Sequence, residues 1–178
     1  MRGERLPETP VVTGGIPGDR RWAFARDGRL VTARQDPGLV ARPASSRDEL
    51  PYELVEDPAG LFDVAPLHLV NLASVAWLAR VAHREVDHRR FRANVYLDGP
   101  LADEERHWPG RLLRLGSALV RVTERCERCV ISTLHPDTGE AAAELLRVLT
   151  AARGATFGVY CEVIEPGYVA AGDACELV

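Results

Sequence analysis

Phe157-Gly158-Val159-Tyr160-Cys161-Glu162-Val163-Ile164 alternates in hydrophobicity, with Phe157, Val159, Cys161 and Val163 sharing one face. A period of two is the mark of a β-strand with one side in a core. Working outward, Arg111 to Leu115 and Ala118 to Thr123 read as strands around Gly116. Cys129 to Leu134 reads as another, ending at the Pro136-Asp137-Thr138-Gly139 turn. Tyr168 to Ala170 and Ala174 to Val178 flank a turn at Gly172-Asp173. Toward the N-terminus, Arg21 to Arg26 and Arg29 to Arg34 flank Asp27-Gly28, a strong two-residue hairpin signal. Leu39 to Arg42, Tyr52 to Glu56 and Val95 to Leu97 add short strands, and 43–51 and 57–66 read as loops.

Two segments break this pattern. Leu72, Val75, Ala76, Ala79 and Ala82 follow helical spacing, which predicts a helix from Asn71, as its cap, to His83. A second helix is expected from Glu140 to Ala152, stopped by Gly154. Many short strands with two helices predict a mainly β (α+β) fold, a β-barrel with a few peripheral helices. Residues 1–12 are expected to form a flexible arm before a single domain over 13–178.

The chain has 178 residues, 22 basic against 26 acidic, for a net charge of −4. That balance argues against a nucleic-acid partner. No apolar run is long enough for a membrane span, and no apolar segment follows the charged start as in a secretory signal, so the expected location is the cytoplasm. Every basic residue is Arg. Without Lys the chain cannot form the internal Schiff base of pyridoxal phosphate or build a P-loop lysine contact. No Gly-x-Ser-x-Gly or Gly-x-Gly-x-x-Gly motif occurs, which argues against esterase and dinucleotide chemistry.

Cys126 and Cys129 form a Cys-x-x-Cys pair, consistent with structural packing, redox chemistry or a metal. Zinc needs four ligands, and Cys161, Cys175 and His135 are irregularly spaced for that purpose. Cys161 and Cys175 read as buried strand residues. A thiolate at Cys129 is a soft ligand that neighbouring Arg residues would favour, and Arg forks suit phosphate.

Five stretches come in a telling order: Gly18-Asp19-Arg20-Arg21-Trp22, Val31-Thr32-Ala33-Arg34-Gln35, Phe91-Arg92-Ala93-Asn94, Cys126 to Glu140, and Phe157 to Ala174. Together they resemble the MOSC domain family, named after the C-terminal domain of molybdenum cofactor sulfurases and shared by amidoxime-reducing components. The resemblance runs over about 13–178, with a shortened N-terminal β part over 13–66 and a MOSC core over 67–178. It implies a MOSC-like β-barrel whose pocket holds a molybdenum-pterin cofactor. By that resemblance Cys129 is the metal ligand and catalytic centre, and Arg34, Arg92 and Asn94 line the cofactor pocket. Relatives grip the pterin phosphate with a Lys-Ser pair; with no Lys here, Arg20 is the candidate substitute. Ala93 replaces the family's Pro, and Glu127 places an acid between the cysteines.

The leading expectation is a molybdenum-cofactor oxidoreductase or sulfur-handling enzyme, acting on a small molecule with electrons from a redox partner protein. A second is a molybdenum-independent enzyme or sulfur carrier using Cys129 as nucleophile on an anionic small molecule. A third is a non-catalytic binding module.

Overall fold

The computed structural model describes residues 3–42, 50–58, 60–61 and 64–178. Parts of the loops expected over 43–51 and 57–66 fall outside these residues. The strands are β1 (Glu8–Val11), β2 (Trp22–Arg26), β3 (Arg29–Val31), β4 (Glu53–Glu56), β5 (Leu67–Asn71), β6 (Val95–Leu97), β7 (Leu112–Leu115), β8 (Ala118–Glu127), β9 (Thr156–Glu165), β10 (Gly167–Ala170) and β11 (Cys175–Leu177). The helices are α1 (Leu72–Val81) and α2 (Ala143–Arg153). Six strands form a curled half-barrel sheet in the order β11-β7-β8-β9-β5-β6. A three-stranded sheet β3-β2-β4 and a two-stranded pair β1-β10 complete the architecture.

The β2–β3 hairpin turns through Asp27 and Gly28, both with positive φ (51° and 72°), the conformation a two-residue turn demands. α1 begins where Asn71 caps it, the side-chain oxygen accepting from Ala73 N at 2.9 Å. α2 ends at Gly154 with φ 61°, its N–H returned to the last turn.

β5 separates two cores. Leu67 and Leu69 face one cluster with Val120, Val122, Val159 and Cys161. Val70 faces the other, which packs α1 and α2 through Val75, Leu78, Leu145 and Leu149. Each such side chain removed from water contributes roughly 1.5–3 kcal/mol. All five residues of β5 are buried, so it reads as a continuous run rather than an alternation.

Four expectations need correction. Leu39 to Arg42 is not a strand: Asp36 accepts from Gly38 N at 3.1 Å and Pro37 opens a 3-10 turn over Pro37–Val40, burying Leu39 and Val40 together. Cys129 to Leu134 is likewise a 3-10 turn over Val130–Thr133. There the Ser132 and Thr133 hydroxyls bond back to the carbonyls of Cys129 (2.8 Å) and Val130 (2.7 Å), overriding the β preference of Val130 and Ile131. The arm expected over 1–12 contains β1, paired antiparallel with β10, and its Val11 is in the core. Finally, Phe157 does not share a face with Val159 and Cys161. Gly158 has φ 75°, and a register shift in the β8–β9 ladder at this level sends Phe157 to the helical core.

Candidate functional site

Strand β8 runs past its expected end at Thr123 and carries Cys126 within it, leaving Cys129 just beyond. The two thiols therefore differ: Cys126 is 1% exposed, whereas Cys129 is half-buried at the start of the Val130–Thr133 turn. Glu127 alternates to the solvent side of β8. Arg128, between them, is the hub of the site. Its NH1 donates to Cys126 Sγ at 2.8 Å and lies 3.4 Å from His68 Nε2; its NH2 donates to the Phe91 carbonyl at 2.8 Å. Its guanidinium stands over the Phe91 ring, and its buried Nε has no hydrogen-bond partner.

The Cys129 turn docks on a second 3-10 turn, His88–Phe91, through buried Arg90, whose NH1 donates to the Thr133 carbonyl at 2.6 Å. That turn ends at Arg92, in the left-handed conformation. Arg20, from the segment before β2, donates from NH2 to the Arg92 carbonyl at 3.0 Å. Arg20 and Arg128 thus bring their charges to His68, and Arg92 brings its carbonyl. The His68 ring is buried on β5, and its pKa lies well below the usual imidazole value. Burial is the main cause, followed by the charges of Arg128 and Arg20; the Phe157 and Arg92 carbonyls oppose the shift. Arg92 keeps an exposed side chain yet is ringed by protein, so desolvation, then Arg20 and Arg128, lower its pKa against the pull of Asp19 and Tyr96.

Asn94 lies where β5, β6 and the N-terminal segment meet. Its Oδ1 accepts from His68 N at 2.9 Å, its own N–H donates to the His68 carbonyl at 2.8 Å, and its Nδ2 donates to Asp19 Oδ2 at 2.7 Å. The amide is committed to holding β5, β6 and the N-terminal segment together. Arg34 is exposed in the turn after β3, where its N–H bonds Thr32 Oγ1. The next residues of that loop, Pro37 and Gly38, press on Gly139, where an added Cβ would come within 3.0 Å of the Pro37 carbonyl. The structure therefore gathers Arg20, Arg92 and Asn94, with Arg128 leading into Cys129, and brings Arg34's loop against the turn that follows Cys129.

Three residues of this site were not singled out from sequence as site residues: His68, Arg128 and Asp19. Arg128 lies inside the Cys-x-x-Cys pair, beyond the strand expected to end at Thr123, and no local pattern marked it. Asp19 lies 3.6 Å from Arg20 Nε. His68 sits in an apolar run and carried no spacing signal.

The other cysteines are packing residues. Burial pushes the Cys161 thiol upward, with Cys175 adding to the shift, and burial then Glu176 do the same for Cys175. Among the described residues, the one group able to offer three metal-ligating atoms within 4.8 Å is Asp87, His135 and Asp137. The Arg89 guanidinium already lies on both carboxylates, 2.6 Å from Asp87 and 2.5 Å from Asp137, and these bonds raise its pKa.

A family model for the MOSC domain matches residues 57–176. Mitochondrial amidoxime reducing component 2 from Rattus norvegicus is 35% identical over 77 residues, 43% of this chain and 22% of that protein. Molybdenum cofactor sulfurase from Caenorhabditis briggsae is 33% identical over 120 residues, 62% of this chain and 16% of that protein. The chain thus spans under a quarter of either relative's length. Among solved structures, the YuaD protein from Bacillus subtilis superposes with a TM-score of 0.61 at 16% identity, covering 98% of this chain and 86% of that one, a likeness of fold.

Proposed function

The chain belongs to the MOSC domain family, and from that premise we propose that it is a molybdenum-cofactor enzyme with Cys129 as the metal-ligating thiol. The observation that supports the reading is the half-buried Cys129 thiol one residue past Arg128, whose guanidinium, with the charge of Arg20, faces His68.

The residues present fit an anionic, sulfur-seeking group. A thiol is a soft donor suited to molybdenum. The buried Nε of Arg128 lacks a partner, and planar guanidiniums match phosphate oxygens. Arg20 and Arg92 would hold the phosphate end, and Cys129 the metal. Asn94 is spoken for by Asp19 and His68 and holds the walls rather than the pterin edge. Bound there, the cofactor supplies oxygen-atom transfer chemistry. Names of the curated relatives, an amidoxime reducing component and a cofactor sulfurase, point to reduction of an N-oxygenated small molecule or to sulfur handling. In the first case the electrons come from a redox partner protein. Arg128 bonds Cys126, so that thiol stays beneath the site and, of the pair, Cys129 is the one presented to solvent.

The test is elemental analysis of the full chain purified from a host that makes the cofactor. About one molybdenum per chain is expected, retained in Cys126→Ser and lost in Cys129→Ser. Molybdenum far below one per chain in the wild type overturns the reading. A persulfide on Cys129 in that metal-free protein, seen by mass spectrometry, would support the sulfur-carrier alternative.

A further inference from the structure

Arg20 and Arg92 share a backbone conformation that arginine rarely takes. Their φ angles are 52° and 53°, both left-handed, where glycine would rest without strain. Strain of this kind persists where the surroundings over-determine it, and it clusters at functional sites. Here the two strained residues are bonded to one another, Arg20 NH2 to the Arg92 carbonyl.

What holds Arg20 is an ion pair to Asp19, which is itself hydrogen-bonded to rigid structure. Asn94 is doubly bonded to His68 of β5 and so is a fixed post. Its Nδ2 donates to Asp19 Oδ2 at 2.7 Å, and the same oxygen lies 3.6 Å from Arg20 Nε. The Arg20 carbonyl accepts from Leu61 N at 2.8 Å, fixing the far side of the residue. We propose that Asp19 is the positioning residue of the cationic site: anchored on Asn94, it fixes Arg20 beside Arg92, so that both guanidiniums address one phosphate-bearing ligand. The inference rests on the anionic-cofactor reading above.

The alternative role for Asp19 is a plain counter-charge, and the two roles predict opposite signs. A counter-charge opposes anion binding, so its removal tightens binding by Coulomb's law. A positioning group loses Arg20 when removed, so binding weakens.

The experiment titrates inorganic phosphate into the cofactor-free full chain by calorimetry, with thermal melts confirming the fold of each variant. Asp19→Ala is expected to weaken phosphate binding about tenfold although it deletes a negative charge. Asp19→Asn keeps an oxygen for Asn94 but loses the ion pair to Arg20, and it is expected to weaken binding less than Asp19→Ala. Asp19→Glu keeps the charge but displaces it by a methylene, and it weakens binding like Asp19→Ala; it also serves if Asp19→Ala fails to fold. Wild-type affinity in Asp19→Ala or Asp19→Glu overturns the proposal. Trypsin cleavage after Arg20 gives a readout free of any ligand: it is expected about tenfold faster in Asp19→Ala and Asp19→Glu, and intermediate in Asp19→Asn. Equal cleavage rates in all four proteins also overturn it. If the wild type does not bind phosphate but this cleavage order holds, the anion reading falls and the positioning role stands.

Discussion

His68 is a titratable ring inside a strand whose every residue is buried, and Gly158 makes room for it. A Cβ at Gly158 would stand 2.6 Å from His68 Nε2 and 2.5 Å from the Leu69 carbonyl. Because burial and two arginines hold the folded ring below its ordinary pKa, the unfolded chain takes up a proton first as the pH falls. The contribution of this group to stability is thus complete above the unfolded value, about 6.5, and is lost as the pH drops below it. Urea melts between pH 7 and pH 5 should lose up to about 1.4 kcal/mol per pH unit through this residue. His68→Gln should flatten that slope, and an undiminished slope in the variant would assign it to other groups. The same scale shows why two cysteines three positions apart differ: Cys126 lies in β8 under Arg128, and Cys129 lies past the strand's end.

At the scale of elements, Asn71 joins β5 to α1 and to the 3-10 turn Glu104–His107. Besides capping α1, it donates from Nδ2 to the Leu101 carbonyl at 2.8 Å and to Glu105 Oε2 at 2.9 Å. Glu105 is 1% exposed and also accepts from Ser74 Oγ at 2.8 Å. Asn71→Ala removes the cap and leaves the buried Glu105 carboxylate with the Ser74 bond but without its donor at Oε2. The expected loss is about 2–4 kcal/mol in chemical denaturation, above the roughly 1 kcal/mol of a cap alone. A loss no greater than that of an ordinary cap would show that Glu105 finds another partner. The cap and the Gly154 stop were legible because each acts within a few residues of its own position. The turn after Cys129 was not: Val130 and Ile131 favour a strand, and only the hydroxyls of Ser132 and Thr133, closing on nearby carbonyls, decide against it.

Across the whole molecule, segments far apart in sequence close the structure. β1 pairs with β10, Glu8 opposite Ala170, and Val11 fills the core beside β7 and β8. Deleting residues 1–11 should therefore lower stability by several kcal/mol, the sum of one buried Val and a lost strand pair, read as a fall in the urea midpoint. An unchanged midpoint would show that β10 needs no partner. No helix among the described residues is long and apolar enough to cross a membrane. The site is assembled on this same scale: Asp19 meets Asn94 across 75 positions, and Arg20 meets Arg92 across 72.

Sequence by itself determined the mainly β architecture, both helices, the Asp27-Gly28 hairpin and the family, because alternation, caps and turn residues act over two to four positions and motif order survives without coordinates. Only the tertiary structure decided that Arg128 bonds Cys126, that Asn94 ties β5 to the N-terminal segment, and that Arg34 stands in an exposed turn. Those outcomes depend on which distant segments share the space around His68, and that is set by packing of the two cores across β5 rather than by any local preference.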